Sequence, residues 1–257
     1  MSSSPLILLI GGHDPSGGAG LQADIETVAA HGCRAVSLVT CLTAQDTKDV
    51  RGLYPQAAAD FRSQLELLLA DIQPDMLKIG LIGESSLASV IADYLPQIAR
   101  PVVLDPVLAA GGGNDLADEK LLRVLRERLL PHTHLLTPNR SEARRLAAKP
   151  DAESAARALL QAGCDQVLLT GADEAEEQQV SNSLFSSEGR TDYHWPRLAH
   201  SYHGTGCTLA SACACRLAQG LAPVEAMRLA QQFTWDALTH ATHPGRGQHL
   251  PHRRLKS

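Results

Sequence analysis

Along the chain, short aliphatic runs alternate with stretches whose apolar positions recur every three or four residues. Residues 6–10, 35–39, 76–79, 102–104, 134–136 and 167–169 have the length and composition of strands buried on both faces of a parallel sheet. Between them Leu21, Ile25 and Val28 share one helical face, and Phe61, Leu65, Leu68 and Ile72 share another. The alternation predicts an α/β fold: a parallel sheet covered by helices on both faces, with right-handed crossovers. Beyond Thr170 the pattern changes. Residues 178–185 and 191–195, joined through Ser186-Ser187-Glu188-Gly189, predict a hairpin and hence an antiparallel edge. Two helices then follow, one from near Thr205 to around Gly220. The other starts after Pro223 and turns Val224, Met227, Leu229 and Phe233 toward the core.

A length of 257 residues allows one α/β unit or two smaller ones. No linker-like stretch or internal repeat interrupts the pattern. One domain over residues 1–257 is therefore expected, with an ordered core near 5–243 and a tail at 244–257. The glycine cluster Gly111 to Gly113 falls between a strand and a helix, as an active-site loop would. With 28 acidic and 23 basic residues the formal charge is −5, which removes the global basic field a nucleic-acid or anionic-membrane binder uses. The cationic run from Arg246 to Lys256 reads as a solvated tail. Six cysteines without a C-x-x-C pair suggest neither a zinc site nor a disulfide framework, but reduced, mostly buried thiols. The apolar run at 6–10 is too short for a signal or a membrane span and no cationic region precedes it, so a cytoplasmic protein is expected.

Ligands of open α/β sheets bind outside the carboxyl ends of the strands, so the loops there carry the candidate chemistry. The first, Gly11-Gly12-His13-Asp14-Pro15-Ser16-Gly17-Gly18-Ala19-Gly20, lets backbone amides approach a ligand closely but is neither a Walker A loop nor G-x-G-x-x-G. A second, His203-Gly204-Thr205-Gly206-Cys207-Thr208, runs into a helix rich in small residues, among them Ala210, Ser211, Ala212 and Ala214. Its amides and the helix dipole face one point, which is an anion site. In that first turn the dipole is expected to lower the pKa of Cys207. Asn139 caps a helix with Glu142 three residues on, and this capping box also offers hard oxygen ligands to a hydrated Mg²⁺. Asp105, at a buried strand end, needs a partner such as a metal-bound water or a backbone amide. Asp24 and Gln45 add polar groups near the same end of the sheet.

Together Gly12 to Asp24, Thr43-Ala44-Gln45-Asp46-Thr47, Lys78-Ile79-Gly80, Asp105-Pro106-Val107, Thr137-Pro138-Asn139 and His203 to Leu209 resemble the hydroxymethylpyrimidine/phosphomethylpyrimidine kinases of thiamine biosynthesis, over nearly all of residues 6–240. The resemblance implies a ribokinase-like three-layer α/β/α sandwich, commonly a homodimer, with a mostly parallel central sheet and an antiparallel edge. It also implies phosphorylation of the pyrimidine alcohol, and then of its monophosphate, by Mg²⁺ and ATP. Gly12, Asp24, Thr43, Gln45 and Val107 would hold the aminopyrimidine, Gln45 offering an amide donor and acceptor together. Gly204, Thr205, Gly206 and Cys207 would form the anion hole, with Cys207 accepting or orienting the substrate hydroxyl proton. Asn139, Thr170 and Gly171 fall to the nucleotide, and Asp105 and Glu142 to the metal. Where many relatives carry a lysine, this chain reads Leu168-Leu169-Thr170-Gly171-Ala172; His13 and Ser201-Tyr202 also depart from the common pattern, and Gly245-Arg246-Gly247 only loosely matches the family's terminal glycine-rich segment.

Pyridoxal kinase is the nearest rival, because vitamin B6 alcohols also present a hydroxymethyl group on a nitrogen heteroaromatic ring. A catalytically silent regulator on the same fold would be expected to lack Cys207 or the Asn139/Glu142 pair, and both are present. A dinucleotide-dependent oxidoreductase would need the G-x-G-x-x-G loop that this chain does not have.

Overall fold

The architecture was analysed in a computed structural model that describes residues 4–109, 115–173 and 178–254. The glycine cluster at 111–113 lies outside the described residues. Nine strands form one sheet: β1 (Leu6–His13), β2 (Arg34–Gln45), β3 (Val50–Pro55), β4 (Met76–Ile79), β5 (Val102–Leu104), β6 (Leu135–Leu136), β7 (Gln166–Leu169), β8 (Gln179–Ser186) and β9 (Gly189–Pro196). Their order is β3-β2-β1-β4-β5-β6-β7-β8-β9. The ladders from β2 to β7 are parallel, whereas β3 on one side and β8 and β9 on the other run antiparallel. The antiparallel edge expected from the hairpin is present, and β3 adds a second at the opposite side.

Helices α1 (Gly20–Ala30), α7 (Thr205–Ala218) and α8 (Pro223–Thr239) cover one face; α2 (Ala58–Asp71), α3 (Ser85–Ile98), α4 (Glu119–Val124), α5 (Arg140–Ala147) and α6 (Ala152–Gln161) cover the other. Alternation along β1 serves both layers. Ile7 and Leu9 pack toward α1 and α7, while Leu8 and Ile10 pack with Phe61 and Leu65 of α2. Each such fully buried side chain contributes about 1.5–3 kcal/mol. The small residues of α7 bring its axis close to the sheet, Ala210, Ser211, Ala212 and Ala214 all being fully buried.

Two expectations about faces are corrected. On α8 Met227 is buried and Phe233 packs against the core as expected, but Val224 stands exposed in the first turn, and the buried stripe is completed by Ala226, Ala230, Gln231, Thr234 and Ala237. Between residues 242 and 253 the segment after α8 is docked on the fold rather than solvated. Gly247 and Gln248 donate backbone amides to Thr47 Oγ1 and Thr47 O (3.0 and 2.8 Å), and His249 pairs with Ser201 and His203. Arg253 is 2% exposed, since carbonyls and a carboxylate in the interior satisfy its guanidinium.

Candidate active site

The strand-end loops surround a cavity of about 560 Å³, within the size range of small-molecule sites. Gly12, Thr43, Gln45 and Val107 line one part of it. Asp105, Asn139, Glu142 and Thr170 line another, and Gly204 to Cys207 lie between. Thr43 donates its hydroxyl to His13 O (2.9 Å), and Gln45 is steadied by pairing with Val50 of β3. Val107 holds φ at +33°, a conformation that costs a β-branched residue about 1–3 kcal/mol. Gly171 and Asp24 are not in the wall.

At the start of α7, Gly204 is the N-cap with φ +83°. A Cβ there would come 1.8 Å from Gly18 O, so the two glycine loops interlock and only glycine fits. The first amides of the helix have no intrahelical acceptor and open onto the cavity at Thr205, Gly206 and Cys207. Gly206 faces the Asp105 carboxylate, its missing Cβ lying 3.7 Å from Oδ2.

Beneath this wall sits a buried charge cluster. Lys78 Nζ binds both oxygens of Asp24 (2.8 and 2.9 Å), and Ser211 donates to the same carboxylate (2.8 Å). Asp24 is therefore corrected from a pyrimidine contact to the neutraliser of Lys78, because it lies on the inner face of α1 with no exposed surface. Gly80 is required by that lysine, since a Cβ would meet Nζ at 2.7 Å. Burial opposes the charge on Lys78, yet Asp24, Cys207 and Asp105 around it hold the ammonium well above its usual range.

Burial pushes the Cys207 thiol up to about 12, against the pull of Lys78. This corrects the expectation of a lowered value: α7 starts inside the molecule, where desolvation outweighs the dipole. Burial likewise raises Asp105 to about 7, opposed by Lys78 and reinforced by Glu142 and Asp24. Among the described residues Asp105 Oδ2 has no hydrogen-bond partner, while the Cys207 side chain bonds to this carboxyl group.

The capping box forms as the sequence predicts: Glu142 N donates to Asn139 Oδ1 (2.8 Å) and Asn139 N to Glu142 Oε2 (3.0 Å). Glu142 Oε1 accepts from Leu108 N (3.1 Å), and burial raises the pKa of this carboxyl. Among the described residues no three His, Cys, Asp or Glu side chains converge as a metal cage. The orphaned oxygen of Asp105 and the half-buried Glu142, both on the cavity wall, do fit a Mg²⁺ that takes one or two carboxylates and completes its shell with waters and phosphates.

Several lining residues were missed by sequence reasoning. Asp14, 1% exposed, accepts from Ser16 N, Ser16 Oγ, Ala19 N and His203 Nε2 at 2.8–2.9 Å, tying the first loop to the α7 loop. Burial works against its charge, but these donors together hold its carboxyl below the ordinary range. Its signal was the Asp-Pro-Ser-Gly turn sequence. At the far end, Gly171 N donates to Asn182, whose amide donates to Gln231, which also accepts from Trp195 Nε1 (2.9, 2.8 and 3.0 Å). Both tryptophans of the chain, Trp195 and Trp235, line this end. The guanidinium of Arg197 donates to Ala172 O and that of Arg140 to Ser181 O, so cations gather where the sequence lacks a lysine.

Residues 14–252 match the family model described as phosphomethylpyrimidine kinase. A Salmonella typhimurium protein named hydroxymethylpyrimidine/phosphomethylpyrimidine kinase is 39% identical over 80% of both chains. A rice protein named a probable chloroplastic thiamine biosynthetic bifunctional enzyme is 34% identical over 92% of this chain, and the chain spans 45% of its length. Among solved structures, a Staphylococcus aureus pyridoxal kinase in complex with pyridoxal superposes with a TM-score of 0.90 at 25% identity, covering 98% of this chain and 95% of its own. The ribokinase-like fold accommodates both kinds of kinase, but sequence similarity on this scale reaches from the Asp14 loop to the segment after α8: the chain belongs to the phosphomethylpyrimidine kinase family.

Proposed function

We propose that the protein is an ATP-dependent phosphotransferase that phosphorylates 4-amino-5-hydroxymethyl-2-methylpyrimidine and then its monophosphate, supplying the diphosphate for thiamine biosynthesis. The observation that carries this reading is that the open amides of Gly204 to Cys207 share one cavity with Gln45 and Thr43. An amide suited to an aminopyrimidine edge and an anion hole then flank the same space. Gly12, Thr43, Gln45 and Val107 hold the ring. Thr170, Asn139 and the Trp195/Trp235 end receive the nucleotide, with Gly171 supporting it through Asn182.

Asp105 and Glu142 are the residues that would hold Mg²⁺, which supplies neutralisation of phosphate charge when bound. Transfer forms a bond to the γ-phosphorus from the substrate hydroxyl oxygen, or in the second step from a phosphate oxygen of the monophosphate, and breaks the bond to the bridging β–γ oxygen; ADP leaves, and the hydroxyl proton passes to the transferred phosphoryl group and on to solvent. Alignment matters more than a strong base in such a loose transition state. Cys207 is accordingly a neutral thiol that orients the hydroxyl, consistent with its raised pKa. The Thr205 and Gly206 amides receive charge on the transferring group.

A cytoplasmic homodimer belongs to the same reading. Among the described residues no helix is long and apolar enough to cross a membrane. Leu42 and Tyr54, 53% and 61% exposed and paired across β2 and β3, offer an apolar edge for a second copy. A second reading, pyridoxal kinase, is favoured by the likeness to the Staphylococcus aureus structure. ATP turnover with hydroxymethylpyrimidine, its monophosphate and pyridoxal, measured in parallel with Mg²⁺, separates the two. The pyrimidines should dominate, and a preference for pyridoxal would replace the substrate claim.

A further inference from the structure

Arg253 lies one residue beyond the stretch matched by the family model, inside a cationic run that a sequence reading leaves to solvent. In the fold its guanidinium is buried and makes four hydrogen bonds. Nε donates to Thr208 Oγ1 (2.8 Å), Nη1 to Gly17 O (3.4 Å) and Glu26 Oε2 (3.3 Å), and Nη2 to Gly18 O. Burying a guanidinium this deeply is unfavourable unless nearly every donor is matched, and here they are matched by the two halves of one site.

On one side, Thr208 accepts from Arg253 and spends its own proton on Gly204 O (2.8 Å), the N-cap carbonyl of α7. On the other, the peptide planes of the first loop are fixed. A trans peptide points its C=O and N–H in opposite directions, so holding Gly18 O toward Arg253 aims Ala19 N at Asp14 Oδ2 (2.8 Å). Holding Gly17 O aims Gly18 N at Ser16 Oγ (3.3 Å). The loop so set continues into Gly20, whose backbone amide reaches the Cys207 thiol. An apolar anchor of the same size would fill the volume but leave the Gly17 and Gly18 carbonyls unpaired. The cation also lies beside the positive end of α7, an arrangement relieved by an anion in the cavity.

We propose that Arg253 is a positioning residue for phosphoryl transfer: its guanidinium locks the Gly17–Gly18 peptides to the first turn of α7 and so fixes the amides that receive the transferring phosphate. The inference rests on the phosphotransferase reading above, and its test is arranged to fail separately. In the full chain, Arg253→Ala should lower kcat about 10-fold or more while KM for the pyrimidine alcohol changes little, since displacements of an ångström are costly at a reacting centre. Guanidinium chloride at tens of millimolar should restore turnover, and the same concentration of NaCl should not. Binding of inorganic pyrophosphate, followed by calorimetry, should weaken in parallel.

If kcat and pyrophosphate affinity stay near wild-type while only the melting temperature falls, Arg253 is a mere tether and the inference is overturned. If the wild-type phosphorylates neither pyrimidine nor pyridoxal, the functional reading fails, yet the pyrophosphate arm still decides the role of Arg253. Should Arg253→Ala not fold, Arg253→Lys keeps the charge but not the fork, and an unaltered kcat in that variant would equally overturn the proposal.

Discussion

At Cys207 two effects of position compete, and their sizes decide the outcome. A helix N-terminus favours a thiolate by about 0.3–1 kcal/mol when exposed. Burial pushes the thiol from its ordinary value up to about 12, which is worth about 4 kcal/mol in the other direction. The thiol therefore stays protonated at neutral pH, which is why orientation is the role proposed for it. Native protein at pH 8 should leave Cys207 unalkylated by iodoacetamide, as peptide mass spectrometry would show. Cys207→Ser should keep kcat within about 10-fold and Cys207→Ala should lose about 10–100-fold, less than the roughly 10²–10⁴-fold that a general base contributes. A kcat profile that rises near pH 8–9 and flattens in the serine variant would instead make the thiolate a base. Gly204 is decided by space rather than by charge. With φ +83° and a neighbouring carbonyl 1.8 Å from the Cβ position, Gly204→Ala should cost about 2–4 kcal/mol, read as a lowered urea midpoint at unchanged slope.

Elements differ in how far they announce themselves. The buried strands were legible because both faces are apolar, and the Asn139 cap because its partner lies three residues away. β3 was not: Val50-Arg51-Gly52-Leu53-Tyr54-Pro55 includes a charge, a glycine and a proline, and only pairing with β2 makes it a strand. Asp24 was read as a ligand contact rather than as half of an ion pair because its partner Lys78 is 54 residues away. Asp14 carries the same lesson in part, since Ser16 and Ala19 reach it within its own loop but His203, 189 residues away, reaches it only after α7 docks. Its carboxyl is held below the ordinary range, so it binds protons less readily in the folded state than in the unfolded one. That stability is present at neutral pH and is lost as pH falls below the ordinary carboxylate value and through the folded one. Asp14→Asn should therefore cost about 2–3 kcal/mol at pH 7, and the gap to wild-type should close as unfolding is measured at pH 4 and below. A gap that stays constant with pH would mean the amide replaces the carboxylate in shape alone.

For the whole molecule, the α/β class and the order of strands and helices followed from periodicity, and the site loops from motif order. What periodicity could not give is which distant segments close the cavity: Gln231 and Trp235 from α8, Trp195 from β9, and the segment from Thr242 to Arg253 folded back over Thr47 and Ser201. This closure makes ligand binding a property of the entire fold, because each contributing segment must be docked for the cavity to exist. A nucleotide that binds only the folded form at 100 times its Kd stabilises it by about 2.7 kcal/mol. For a chain of this size that is about 5–10 °C in Tm. Both tryptophans line the end of the cavity proposed for the nucleotide, so an independent Kd comes from the change in intrinsic fluorescence as Mg-ATP is added. The two constants should agree, and Trp195→Phe should reduce the fluorescence change while leaving most of the Tm shift. A Tm shift with silent tryptophans would place the nucleotide away from the Trp195/Trp235 end, and the assignment of Thr170 and Asn139 to the nucleotide would fall with it.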